Sequence, residues 1–370
     1  MENAAWYVLP NEADIETPSL IFYVDRIKEN IRLLINMIDD KSRLRPHVKT
    51  HKCIEVTQLL LHAGIKKFKC ATIAEAEMLG LSGADDVLLA YQPVGANILR
   101  FIKLIKQFPN TNFSCLVDDF KVAAQLAEQA SAEDCIIQIY IDLNVGMNRT
   151  GVLVNEATAL FKQLSKLKNL SMIGLHAYDG HIHDSEMRVR KEKSKPIIEI
   201  LKNLSKELEE IGGRKLNIVA GGTPTFPIYA KETDFDCSPG TFVLWDKGYQ
   251  DAYSEQPFLP AALVISRVIS QPAKELICLD LGYKAVASEK PLLNRVFFLN
   301  APELHVESQS EEHLVLSDTK SHSYKIGTVL YGLPYHICPT VALYEKAVIL
   351  DADGNIQYWD IIARKRKITI

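Results

Sequence analysis

Lys49 closes the short run Arg45-Pro46-His47-Val48-Lys49, and two glycine-bearing turns follow far along the chain, Ala220-Gly221-Gly222-Thr223-Pro224-Thr225 and Ser238-Pro239-Gly240-Thr241. A lysine amine in a partly desolvated pocket can condense with an aldehyde. Glycines such as Gly221, Gly222 and Gly240 let the backbone come close to an anion, and Thr223 and Thr241 add hydroxyls beside them. Pyridoxal phosphate is a cofactor that is both an aldehyde and a phosphate ester, so the lysine and the two turns together suggest it. Taken alone, Lys49 reads as a surface lysine of a basic loop, and the turns change that reading.

A second constellation is His336-Ile337-Cys338. On a strand, a spacing of two puts both side chains on one face, where they could chelate one divalent ion. The pair reads equally as a packed histidine beside a buried cysteine. If a metal is held, imidazole with thiolate favours zinc over manganese or magnesium. His47 and His51 form an HxxxH pattern that would suggest zinc on a helix. His47 falls at a strand end, however, so contact with the cofactor is the expectation there. In Gly180-His181-Ile182-His183-Asp184, preceded by Asp179, a histidine or Asp179 could serve as acid or base.

These groups need a scaffold that brings distant segments together. Between Leu44 and Ser238 eight short apolar, β-rich runs (44–49, 66–72, 86–91, 112–118, 136–142, 170–176, 216–220 and 235–238) alternate with segments of helical period at 96–108, 119–130, 155–167 and 187–212. That alternation predicts βα units and a parallel sheet. Eight units define a (β/α)8 TIM-type barrel, in which chemistry collects at the C-terminal ends of the strands and phosphate lies after strands seven and eight. Both glycine turns fall there. A strand at Ser19 and a helix after it lead into the barrel. From Pro257 onward strand-like runs separated by turns predict a C-terminal β-domain, with a polar boundary at 250–258.

Composition narrows the classes. The 370 residues are 47% hydrophobic and 24% charged with net charge −4, which suits a globular chain and argues against a nucleic-acid footprint. The basic run Arg364–Lys367 lies in a strand-like segment and reads as a solvated edge. With no export signal and no long apolar run, no membrane partner is expected and the chain reads as cytoplasmic. Seven cysteines without CxxC pairs read as reduced.

The motif RPHVKTHK resembles the cofactor-lysine motif of the D-threonine aldolase and D-serine dehydratase family, relatives of alanine racemase among fold-type III enzymes. The likeness continues through DLNVGMNRTGV, GLHAYDGH, AGGTPT, SPGT, DLGYKA and LPYHICPTV, and so spans almost the whole chain. It implies an alanine racemase-like barrel over residues 12–255 and a β-domain of residues 1–11 and 256–370 that carries the metal motif. It also implies a homodimer with active sites at the subunit interface. Lys49 is expected to hold the cofactor imine and Arg149 to face the pyridine nitrogen, with Tyr178 bordering the ring and His176 beside it. A guanidinium keeps its proton, so the ring would be a weaker electron sink. His336 and Cys338 correspond to the metal pair that grips a substrate β-hydroxyl. Aldolase-type members commonly have Asp where Cys338 stands, and many members have His where Asp179 stands, so the proton-transfer residue is left unassigned. The expected activity is D-threonine aldolase type, on a small D-amino acid. The alternatives are a D-serine or D-3-hydroxyaspartate dehydratase, an amino-acid racemase, and a non-catalytic cofactor-binding protein.

Overall fold

The computed structural model describes residues 5–10, 12–318, 324–350 and 355–370; residues 1–4 and 11 of the expected N-terminal strand lie outside them. By contact the chain divides into two compact units. One holds the chain up to Ile31, Thr50–Cys53 and Thr241–Arg364; the other holds Arg32–Lys49, Ile54–Gly240 and Lys365–Ile370.

The second unit is built on a parallel sheet in the order Lys67–Cys70, Asp86–Leu89, Asn112–Val117, Ile137–Asn144, Leu170–Ala177, Asn217–Ala220 and Asp236–Cys237. Seven of the eight expected runs are therefore strands. The first is not: residues 44–47 make only isolated parallel bridges, Leu44 to Cys237 and His47 to Lys69. Pro46 has no N–H to give a ladder, which interrupts regular pairing. The run still joins the two edges of the sheet. The Arg45 N–H donates to Cys237 O at 2.8 Å, and the Lys69 N–H to Pro46 O at 2.9 Å.

The helices fall where the apolar period placed them, at Ala96–Gln107, Phe120–Ala132, Val154–Leu164 and Met187–Gly212. Each turns a buried apolar stripe inward. Asp119 caps the second by accepting the Val122 N–H at 2.9 Å, the expected arrangement for a helix N-terminus.

Inside the barrel, near the N-terminal ends of the strands, fully buried Arg45 binds Asp86 at 2.5 Å and Asp236 at 3.1 Å. Lys67 and Asn217 also donate to Asp236, at 3.2 and 3.0 Å. Removing one partner of a buried ion pair strands the other charge. Arg45→Ala is expected to cost about 3–5 kcal/mol in urea unfolding. A loss below ~1 kcal/mol, the range of surface pairs, would show that this layer does not hold the barrel.

The other unit is β-rich. Its sheet runs His305–Gln309, Leu314–Ser317, Leu276–Leu279, Ala262–Ala273, Ser19–Phe22, Lys346–Leu350, Ile356–Asp360, with Val329–Pro334 pairing Ala262–Ala273 and Val296–Phe298. Ser19–Phe22 does not lead into the barrel as expected. It pairs antiparallel with Ala262–Ala273 and parallel with Lys346–Leu350. Leu20, Ile21 and Phe22 are all buried, and a strand buried on both faces needs a central place in a sheet. Ile21 packs in a core with Leu263, Ile265, Tyr331 and Val348.

The basic run also differs from expectation. Ile362–Arg364 is a 3-10 turn and residues 365–370 form no strand. They are tied to the barrel unit instead, with Arg100 donating to Arg366 O at 3.1 Å and to Ile370 O at 2.9 Å. None of the seven cysteines is in a disulfide, and no helix among the described residues is long and apolar enough to cross a membrane.

Candidate active site

Within the barrel unit, the C-terminal ends of the strands surround a cavity of about 300 Å³ lined by His47, Lys49, Lys69, Arg149, His176 and Tyr178, among others. Five of these six were singled out in the sequence, and the structure brings them together. Larger clefts of about 460 and 670 Å³ open beside the N-terminal ends of Asn217–Ala220 and Leu170–Ala177, the end of such barrels that serves stability.

The side chains around Lys49 are individually fixed. His47 Nδ1 accepts the Lys49 N–H at 3.3 Å. Buried His176 places Nδ1 2.7 Å from Asp142 Oδ1, and Thr150 donates to the other oxygen of that carboxylate at 2.8 Å. Burial holds the imidazole below its usual pKa, and Asp142 opposes that only in part. The neutral ring then carries its proton on Nδ1 and turns a lone pair at Nε2 into the site. Arg149 lies 4.9 Å from the centroid of the Tyr178 ring, a cation–π contact.

Lys69 was missed in the sequence. Its Nζ is 3.5 Å from His176 Nε2 and 5.6 Å from the Tyr178 ring centroid. Burial, helped by the charge of Lys49, pushes its pKa down to about 7. The signal was present in Lys67-Phe68-Lys69-Cys70, where strand alternation puts both lysines on one face.

The glycine turns lie beside this cavity. Gly221 has φ +73°, and a Cβ on Gly222 would sit 3.1 Å from Tyr178 Cε2, so the ring packs against the turn. Gly180 leaves the same ring its space, since a Cβ there would lie 2.4 Å from it. The two turns are stitched together: Thr223 Oγ1 accepts the Gly240 N–H at 3.1 Å, and the Ser238 N–H donates to Gly221 O at 3.0 Å. Ser238 Oγ, also missed in the sequence, is buried and has no partner among the described residues. An orphaned hydroxyl on one of two joined glycine turns fits a phosphate, because a buried donor requires an acceptor. Thr241 belongs to the other unit, with Oγ1 3.8 Å from Cys338 Sγ.

The acid and base candidates that follow Tyr178 do not line the cavity. Asp179 is buried and accepts from Thr225 Oγ1 at 3.1 Å; burial raises its pKa. It anchors the glycine turn. His181 packs over Gly146, and His183 is exposed.

In the β-rich unit, His336 and Cys338 are not on a strand. Val329–Pro334 ends two residues before His336, which caps the short helix Ile337–Val341. The two side chains nevertheless converge. Burial is the largest single influence and works against the imidazolium, but the hydrogen bond to Cys338 and its charge, the hydrogen bond to Glu289 and the charge of Asp246 together exceed it and lift the His336 pKa to about 9. Glu289 Oε1 is 2.5 Å from His336 Nδ1, and Thr50 Oγ1 is 3.2 Å from Cys338 Sγ. A carboxylate holding one ring nitrogen of an imidazole that also bonds a thiol is an arrangement that orients a metal ligand. No cluster of three or more His, Cys, Asp or Glu completes it among the described residues. The donors fit an ion with two protein ligands.

A closed ring of parallel βα units with a lysine pocket at its strand ends, followed by a β-rich unit, defines an alanine racemase-like protein. Residues 23–242, more than half the chain, match the family described as "Alanine racemase, N-terminal domain", and the chain belongs to it. Residues 261–350 match the family described as "Putative serine dehydratase domain". Among similar proteins is the D-threonine aldolase of Arthrobacter sp, 26% identical over 95% of this chain and 93% of that protein. The crystal structure of the D-threonine aldolase from Filomicrobium marinum superposes with a TM-score of 0.87 at 23% identity, covering 95% of this chain and 96% of the other. A cysteine-to-alanine variant of a D-threo-3-hydroxyaspartate dehydratase, solved in its metal-free form, gives 0.79 at 22% identity over 94% and 97%.

Proposed function

We propose that the protein is a pyridoxal-phosphate- and metal-dependent lyase for small β-hydroxy-D-amino acids, of the D-threonine aldolase type. The observation that carries this reading is the cavity holding Lys49 beside two interlocked glycine turns, one of which bears the orphaned Ser238 hydroxyl. When bound, the cofactor supplies an electron sink for charge developing at the substrate Cα. Lys49 anchors it, Gly221, Gly222, Thr223 and Ser238 hold its phosphate, and Tyr178 sits against the ring with Arg149. Arg149 keeps its proton, which favours cleavage of the Cα–Cβ bond, the reaction that demands less of the ring.

His336 and Cys338 hold the metal, and imidazole with thiolate favours zinc. The likeness to this family further supports a homodimer.

The dehydratase reading is favoured by one observation, the thiol of Cys338, where aldolase-type members commonly carry Asp. Incubation with D-threonine and with D-serine separates the two readings. Glycine and acetaldehyde from D-threonine are expected; keto acid and ammonia without glycine would replace the aldolase assignment with the dehydratase.

A further inference from the structure

We propose that Lys69 is the proton-transfer residue of this pocket, with His176 and Asp142 as positioning residues behind it. The inference rests on the lyase reading above and assigns the step which the residues after Tyr178 leave open.

Geometry comes first. Lys69 is 4% exposed yet lines the same cavity as Lys49. Its Nζ lies 3.5 Å from His176 Nε2, whose opposite nitrogen is fixed 2.7 Å from Asp142, itself held by Thr150. With the His176 proton on Nδ1, Nε2 can only accept, so Lys69 spends one N–H on the ring and turns its remaining valences to the cavity. The amine is thereby aimed.

Its charge state follows from its neighbours. Desolvation disfavours the ammonium first, and the cations Lys49 and Arg149 act in the same direction. Asp142 and Asp179 oppose them without prevailing, and the midpoint falls at about 7. His176 is held neutral by burial. His47 and Tyr91 share the cavity wall. Effective general bases titrate near the working pH, and an ordinary lysine does not.

The chemistry closes on itself. In retro-aldol cleavage, neutral Nζ takes the β-hydroxyl proton while the O–H pair becomes the new C=O bond and the Cα–Cβ pair goes to Cα. The ammonium returns that proton to Cα, and the enzyme ends as it began. Dehydration would use the same amine in the opposite sense, taking the Cα proton and giving it to the departing hydroxide.

The test begins on the cofactor-free full chain. Labelling with acetic anhydride across pH, read by peptide mass spectrometry, is expected to give Lys69 a midpoint near 7. That corresponds to a neutral fraction at pH 7 on the order of 10³-fold above an ordinary lysine. In Lys49→Ala the midpoint should rise as a like charge is removed. In the loaded enzyme, Lys69→Met is expected to keep the cofactor absorbance, lower kcat by ~10²–10⁴-fold and erase the acid limb of the pH profile, whereas His176→Asn should move that limb. A Lys69 midpoint near 10, or a Lys69→Met enzyme with unchanged kcat and acid limb, overturns the proposal. Failure of the wild-type chain to bind pyridoxal phosphate overturns the lyase reading instead, and leaves the Lys69 midpoint to be judged by itself.

Discussion

Lys49→Ala protein mixed with pyridoxal phosphate lacks the absorbance of a cofactor–lysine linkage, and its turnover falls by at least ~10²–10⁴-fold. The expectation follows from position. Lys49 ends the run that closes the barrel, and its backbone N–H is held on His47 Nδ1. The glycine turns reach the same cavity through the Tyr178 ring, which lines it and abuts Gly222. The cavity contains a second amine, Lys69, that titrates near neutrality, so absorbance alone is an incomplete readout. Borohydride reduction followed by peptide mapping decides: the label belongs on Lys49 in the wild type and disappears in Lys49→Ala. A label on Lys69 in the wild type would displace Lys49 from its role.

The second large effect concerns the metal. On the proposed reading His336 and Cys338 hold the ion, and loss of either would leave it one of these two anchors, so His336→Ala and Cys338→Ala are expected to lose metal on dialysis and activity with it. Glu289→Gln keeps both ligands but loosens the imidazole, and its metal affinity should fall ~10–100-fold. Cys338→Asp exchanges a soft donor for a hard one and should shift preference from zinc toward manganese. Metal analysis of dialysed protein checks the series; metal retained by Cys338→Ala would remove this pair from the site.

Much of this arrangement was legible in the sequence, and what escaped has physical causes. Periodicity located the helices and seven parallel strands because each pattern reports a buried face. It could not show that Leu44–His47 would bridge without forming a strand, since Pro46 removes the ladder donor while the apolar pattern persists. Nor could it show which sheet takes Ser19–Phe22, because an apolar run reports burial and not partner. The His336 and Cys338 pair was read on strand geometry, whereas a helix cap brings the two side chains together. Lys69 was passed over because it stands in no motif, and Ser238 because its turn was read for Gly240 and Thr241: one is distinguished by desolvation, the other by an unanswered hydrogen bond, and both properties arise only on folding.

Neither unit is a single stretch of chain. Ser19 pairs opposite Ile265 and Ile21 beside Val348, while residues 365–370 hydrogen-bond back to Arg100 and Glu77. A growing chain therefore has to keep Ser19–Phe22 unpaired until Ala262–Ala273 and Lys346–Leu350 have emerged, and the barrel unit waits for residues 365–370. Such distant closures are slow and leave sticky intermediates exposed. Cutting the gene near codon 240 should accordingly give two insoluble halves.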